Sequence, residues 1–386
     1  MTSSAGEDLG WAVPPYAVSL RHVVPTALAS LGLAPGSCGG PEQIPAPLPP
    51  ARRAVVVLAD GLGELQLRRR AGHAPVLRAM EPVVAEARCG FPSTTAVSLA
   101  SLGTGLLAGE HGLVGWHALV PSADRLVNHL SWEDGPDPQT WQPHPTLFER
   151  ASAAGVRVTM VGPAKFAGSG LTRAVLRGAR AVPALDPEEA VRATAAALQG
   201  PGPALVYLYW GDIDRTGHVH GPDGWQWTEQ LELLDDTLAD LLDAVPTDTL
   251  VTVTADHGMV HAPHELRLDL AVQAELARGI RHLGGEPRGP QPHCRPGAVD
   301  DVHATWTEVL DGRALVLTRA QAVDAGWFGP VEPQALPRIG DLVVAMRGRH
   351  TVLDSRALRP QVLTLVGQHG SLTDEETLVP WRWALT

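Results

Sequence analysis

Three apolar runs in this chain end in a carboxylate, and two of those endings also carry a histidine. Run 54–59 (AVVVLA) is followed by Asp60-Gly61-Leu62-Gly63. Run 204–210 leads into Gly211-Asp212-Ile213-Asp214-Arg215-Thr216-Gly217-His218, and run 249–254 into Ala255-Asp256-His257-Gly258. Another His-Gly pair, His369-Gly370, comes near the C-terminus. Taken alone, Asp60 reads as well as a turn or cap residue as a functional one. Together, Asp60, Asp214, Asp256, His218, His257 and His369 make a mixed oxygen and nitrogen donor set. That set suits two divalent transition metals, zinc first and manganese second. Two such ions about 4 Å apart can hold a phosphoryl group and make a hydroxyl nucleophilic without a neighbouring base.

A hydroxyl is available in the stretch 89–116 (CGFPSTTAVSLASLGTGLLAGEHGLVGW). A β-like run over 83–89 turns through Phe91-Pro92 and places Ser93-Thr94-Thr95 at the start of a helix expected over 96–107 and closed by Gly109. Unpaired N–H groups and the positive dipole end at a helix N-terminus favour an anion. A lone S-T-T is more simply an N-cap. The donors at three other strand ends shift that balance.

The elements that must position these groups follow from the pattern. Continuous β-branched runs read as strands buried on both faces, and a carboxylate at the carboxyl end of such a strand lies on the ligand-binding edge of an open α/β sheet. Helices are expected over 19–33, 64–70, 75–80, 146–154 and 187–198, with a long amphipathic one over 223–245 and a further strand over 156–162. Strand then helix, repeated, predicts a mainly parallel sheet. Segment 117–145 reads as a long loop or a small excursion over one face, with Trp132, Trp141, His129 and His144. Over 261–367 the strands shorten and 284–296 is loop-like, which indicates a smaller α+β insertion over the sheet edge. The expected organisation is an N-terminal helix and Pro/Gly-rich connector (1–50), a hydrolase core (51–260 and 368–386) and a cap-like insertion (261–367).

With 386 residues, 44% apolar and 19% charged, the chain can bury a large core. A net charge of −12 argues against a partner bound through a nucleic-acid backbone. Cys38, Cys89 and Cys294 give no disulfide framework and no C-x-x-C motif, and read as reduced thiols. The first 16 residues lack the basic and apolar regions of a secretory signal, and no window reaches the roughly 20 apolar residues that span a bilayer. A cytoplasmic protein without a membrane partner is expected, its oligomeric state undetermined.

In order along the chain, D-G-hydrophobic-G, P-S-x-T with a later T-G and H-G, D-x-x-x-H, D-H-G-M and a final H-G resemble the alkaline phosphatase superfamily. Within it the chain is similar to the nucleotide pyrophosphatase/phosphodiesterase (type I phosphodiesterase) family over nearly its whole length. The resemblance implies a three-layer α/β sandwich with a cap. It implies one metal on Asp214, His218 and His369, and a second on Asp60, Asp256 and His257. Thr95 would sit on the second ion as nucleophile, forming a phospho-threonine intermediate on a small phosphoester substrate. Thr94 and Asp212 are the register rivals of Thr95 and Asp214. Where the family carries an aromatic residue and then Pro-Asn after the nucleophile, this chain has Ala96, Val97 and Ser98. Ser98 is left as a donor to phosphate, and Trp116, Trp132 or a cap residue as the wall of the leaving-group pocket. A sulfatase is disfavoured by the spacing around Cys89, and a phosphoglycerate mutase by a Ser93 two positions early. A phosphomonoesterase or phosphonate hydrolase of the same superfamily is the nearest alternative. A metal-binding scaffold without turnover is the alternative of another class.

Overall fold

A computed structural model describes residues 13–386 except Pro15 and Cys38. The signal-peptide reading of residues 1–12 and the thiol reading of Cys38 therefore lie outside the described residues. Six strands carry the central sheet: β1 (Arg53–Ala59), β2 (Arg157–Gly162), β3 (Arg180–Pro183), β4 (Ala204–Trp210), β5 (Thr249–Thr254) and β6 (Trp381–Leu385). A two-residue strand, Glu81–Pro82, completes one edge, and the order across is Glu81–Pro82, β6, β5, β1, β4, β2, β3. β5, β1, β4, β2 and β3 run parallel, and β6 is antiparallel to β5. The fold is α/β with a large, mainly parallel central sheet.

β1 is buried from Ala54 to Ala59 because its β-branched run leaves no polar face for solvent. Its register sets Ala59 opposite Trp210 on β4 and Leu58 opposite Thr254 on β5. Three adjacent strands thus end level, and the residues after them emerge along one edge. Asp60 N–H donates to Trp210 O at 2.8 Å, carrying the ladder one step past β1. Gly61 then turns with φ 76°, and a Cβ there would stand 2.8 Å from the Cα of Asp214. Only glycine suits both the left-handed backbone and that approach.

The helix after the hydroxyl turn, α1 (Thr95–Thr104), starts one residue earlier than expected and closes at Gly105 (φ 74°), not at Gly109. The Thr104 hydroxyl folds back on Ala100 O at 2.6 Å, so the T-G pair ends the helix, and a short helix, Ala108–His111, follows. Segment 117–145 is not a long loop. Its hairpin, His117–Val120 with Arg125–Asn128, joins Ile280–Gly285 and Pro290–Cys294 in a four-stranded sheet. The expected loop over 284–296 is therefore largely strand. The expected run over 83–89 pairs only at Ala87–Arg88, with Leu378–Val379. The tail after His369 ends as β6 inside the main sheet, with Trp381 at 3% exposure.

A second hydrophobic cluster forms within 268–352, around Trp306, Leu276 and Leu310. Strand Leu342–Met346 serves both cores: Leu342, Val344 and Met346 face the second, while Val343 and Ala345 face the first. That is the two-residue period of a strand sandwiched between apolar layers. Among the described residues no helix is long and apolar enough to cross a membrane.

Gly61→Ala should cost about 1–3 kcal/mol of stability, since it combines a left-handed backbone with a steric overlap. Urea denaturation of the purified variant checks this, and an unchanged midpoint would show that the turn relaxes.

Candidate active site

The level strand ends fix five of the polar groups. Asp60 follows β1, and Asp256 and His257 follow β5, all three nearly inaccessible. β4 runs through Gly211 into α2 (Asp212–His220), whose i, i+4 spacing puts Asp214 and His218 on one face. His369 arrives last, after strand Gly367–Gln368, which pairs with Val260–His261.

Each imidazole is held by a backbone carbonyl. His257 Nδ1 donates to Gly258 O (2.9 Å), His218 Nδ1 to Gly367 O (2.8 Å) and His369 Nδ1 to Ser93 O (2.8 Å). A carbonyl can only accept, so the proton sits on Nδ1 and the Nε2 lone pair is free. Those lone pairs meet carboxylate oxygens. His218 Nε2 is 3.3 Å from Asp214 Oδ1, and His257 Nε2 is 3.6 Å from Asp60 Oδ1 and 3.5 Å from Asp256 Oδ2. His369 Nε2 is 4.0 Å from Asp214 Oδ1. The three oxygens are buried and have no hydrogen-bond partner. Facing lone pairs repel, and buried charges without partners are costly. Divalent cations between them would relieve both, and the residues present fit such ions in donor type and orientation.

Two overlapping triads can be drawn, with ligand atoms within 4.8 Å of one another: Asp214, His218 and His369, and Asp60, Asp214 and His257. Asp214 faces both. Asp256 spends one oxygen on the N–H groups of Gly61 and His257, each at 3.0 Å, and presents the other to the cluster. Tyr209 was not picked out by sequence reasoning. Its hydroxyl donates to Asp60 Oδ2 at 2.5 Å, and nothing in a buried-strand run distinguishes it. Burial, then the charges of Asp256 and Asp214, push the Asp60 carboxyl well above the usual range. Burial, then His257 and His218, push His369 well below the usual imidazole value.

Thr95 opens α1, and its hydroxyl donates to His257 Nε2 at 3.2 Å. Thr94 is the N-cap and is 2% exposed. Ser93 staples the late histidine: its Oγ donates to Ser371 O (2.8 Å) and accepts from Gly370 N (3.0 Å). Ser98 is not available as a donor to phosphate. Fully buried, it gives its hydroxyl to Asp256 O at 2.6 Å and braces that turn instead. Trp116 stands in a separate cleft with His117, Arg281 and Pro287, its backbone N–H donating to the Glu286 carboxylate. Trp132 is buried, its indole donating to Pro136 O. Neither tryptophan lines the cavity beside Thr95, whose aromatic wall is Phe166, Tyr207 and Tyr209. A buried bidentate pair, Arg288 with Glu376 at 2.8 Å on both oxygens, ties the insertion to the segment carrying His369, and Glu376 also accepts from Ser371 N.

With this geometry in place, comparison with known proteins is decisive in one respect. The pattern of the type I phosphodiesterase / nucleotide pyrophosphatase family matches residues 54–372. The chain belongs to this family. Members of known structure share the fold: murine ectonucleotide pyrophosphatase/phosphodiesterase 5 superposes with a TM-score of 0.69 at 18% identity, covering 85% of this chain and 87% of that one. Phosphonoacetate hydrolase from Sinorhizobium meliloti 1021, in complex with phosphonoformate, gives a TM-score of 0.67 at 22% identity over 87% of this chain and 90% of that one. Phosphopentomutase from Anaeromyxobacter dehalogenans is 32% identical over 155 residues, 35% of this chain and 37% of that protein. Matches to curated relatives span only 5% to 37% of those proteins' lengths.

Burial and the neighbouring carboxylates raise the Asp60 carboxyl in the metal-free fold, so that fold should weaken as pH rises through the usual carboxylate range. His369, kept neutral, should weaken it as pH falls below the usual imidazole value. Added zinc or manganese should therefore raise the melting temperature, and more at about pH 8 than at about pH 6. Calorimetry of chelator-stripped protein checks this; an equal rise in His369→Ala would remove that imidazole from the ligand set.

Proposed function

We propose that the chain is a metal-dependent phosphoester hydrolase acting on phosphodiester or phosphoanhydride bonds, with Thr95 as nucleophile. The observation that carries the reading is the convergence of three unprotonated Nε2 atoms and three unpartnered carboxylate oxygens beside the Thr95 hydroxyl, which donates to one of them, His257 Nε2. Two divalent ions, zinc by preference for this nitrogen and oxygen set, would be held by Asp214, His218 and His369 and by Asp60, Asp256 and His257, with Asp214 close to both. Such ions neutralise charge on the phosphoryl oxygens and lower the pKa of a nearby hydroxyl.

The protein's own groups supply the rest. α1 presents Thr95 Oγ1 at a helix N-terminus, where the N–H groups of the first turn favour phosphoryl oxygens. Oγ1 forms a new bond to phosphorus as the bond to the departing alcohol breaks, and the threonine proton ends on that alcohol. Water then splits the phospho-threonine and restores the hydroxyl. Ser98 and Tyr209 keep Asp256 and Asp60 in place throughout. Residues 261–367, with their own apolar cluster, act as the cap. A small-molecule phosphoester is supported by a structural neighbour, an inactive threonine-to-alanine variant of murine ectonucleotide pyrophosphatase/phosphodiesterase 5 in complex with AMP.

Hydrolysis of bis(nitrophenyl) phosphate at mildly alkaline pH should be lost on chelation and restored by zinc. Thr95→Ala should lower kcat by about a thousandfold or more, the loss expected when a nucleophile is removed. Steady-state kinetics check both; near-normal turnover by Thr95→Ala would overturn the nucleophile, and metal-replete protein without turnover would favour a scaffold. Faster hydrolysis of nitrophenyl phosphate than of the diester would favour a phosphomonoesterase.

A further inference from the structure

Beside Thr95 lies a cavity of about 160 Å³. Leu99, Leu130, Met160, Phe166, Leu171 and Leu176 supply most of its wall. Apart from Asp60 and Asp214, already in the donor set, no charged side chain lines it. Some of its hydroxyls are committed: Tyr209 to Asp60 at 2.5 Å, and Ser169 to Thr172 at 3.1 Å. Two have a proton to give: Tyr207, 1% exposed and with its hydroxyl unpartnered, and Thr172, whose hydroxyl only accepts, from Ser169. A wider cleft of about 670 Å³ shares Phe166, Tyr209 and Asp214 with the cavity. Lys165 and Arg215 line this cleft and not the cavity, and Lys165 Nζ sits 4.9 Å from the centre of the Phe166 ring.

The site is therefore divided by polarity, with Phe166 and Tyr209 on the boundary. Apolar cavities of about 150 Å³ stay dry and accept benzene. A purine or pyrimidine would bury several ring nitrogens and exocyclic groups against a wall offering only the hydroxyls of Tyr207 and Thr172, and polar groups buried without partners oppose binding. Resting on the hydrolase reading, we propose that the cavity takes one substituent of the substrate, an uncharged and mainly apolar group of about the size of a benzene ring. Tyr207 meets its single hydrogen-bonding atom. The other arm of the diester or anhydride, the polar one, lies in the wide cleft, where Lys165 stands beside the Phe166 boundary and Arg215 is already paired with Asp212 at 2.8 Å.

Titration calorimetry on the metal-loaded wild-type protein, with phenylphosphonate, 4-hydroxyphenylphosphonate and AMP as probes, tests this without any substitution. Phenylphosphonate should bind at least about tenfold more tightly than AMP, a difference well within the resolution of the method. The hydroxylated probe should bind more tightly still, and Tyr207→Phe should erase that increment while leaving the plain phenyl probe within about twofold. Leu171→Trp, which fills the cavity, should abolish the preference over AMP. AMP binding as tightly as phenylphosphonate in the wild type overturns the inference, whatever the variants do. Diester hydrolysis with such AMP binding would leave the hydrolase reading standing. Preferential phenylphosphonate binding in a protein that hydrolyses no diester would overturn that reading and keep the cavity.

Discussion

Six unshared electron pairs aimed at one small volume are the constraint on which the rest of this structure depends. Nothing in the chain attracts Nε2 of His218 to Oδ1 of Asp214, or Nε2 of His257 to Oδ1 of Asp60; their approach is imposed by groups behind them. Each imidazole is pinned by a carbonyl, Asp256 by two N–H groups, and Asp60 by a phenol. A parallel sheet whose central strands end level is a rigid frame on which to hold such repulsion, because the pinned groups ride on strands that cannot shift independently. The burial that makes the arrangement costly without cations is also what would make it selective for them.

Much of this was legible in the sequence where local chemistry and fold coincide. The run 54–59 has no polar alternation, so it had to be buried on both faces, and Asp60 had to emerge at its end. Asp214 and His218 lie four residues apart, which needs only a helix to bring them together. His369 stood out only as one more His-Gly pair, with no strand to place it, because what positions it is contact with Ser93, 276 residues earlier, and the Arg288–Glu376 pair, 88 residues apart. No local pattern encodes such contacts. The strands Ile280–Gly285 and Pro290–Cys294 were hidden by their glycines and prolines, and their link to the 117–128 hairpin joins Gly285 to His117, 168 residues earlier. Ser98 shows the opposite failure: its correspondence to the family's Asn suggested a donor to phosphate, while its hydroxyl is spent on Asp256 O.

The two apolar cores are not separable bodies joined by a tether. Strand Leu342–Met346 contributes alternate side chains to each, so loosening either core disturbs the other. The buried Arg288–Glu376 pair adds a polar weld at the same seam, both side chains wholly enclosed. Removing one partner would leave an uncompensated buried charge, a far larger penalty than the pair's own net worth. The insertion is in this way coupled to the geometry around His369 through packing and through charge.

The lateness of His369 and β6 in the chain also governs how the protein is made. Synthesis proceeds from the N-terminus, and domains form as their residues emerge from the ribosome. Asp60, Asp214, Asp256 and His257 all precede His369 in the chain, and the sheet edge that receives Trp381 to Leu385 is unpaired until those residues have been made. A nascent chain that has not reached them therefore carries the donor cluster short of one imidazole beside an open β-edge. The last donor and the strand that closes the edge lie within about a dozen residues of each other, so both gaps close at nearly the same stage of synthesis.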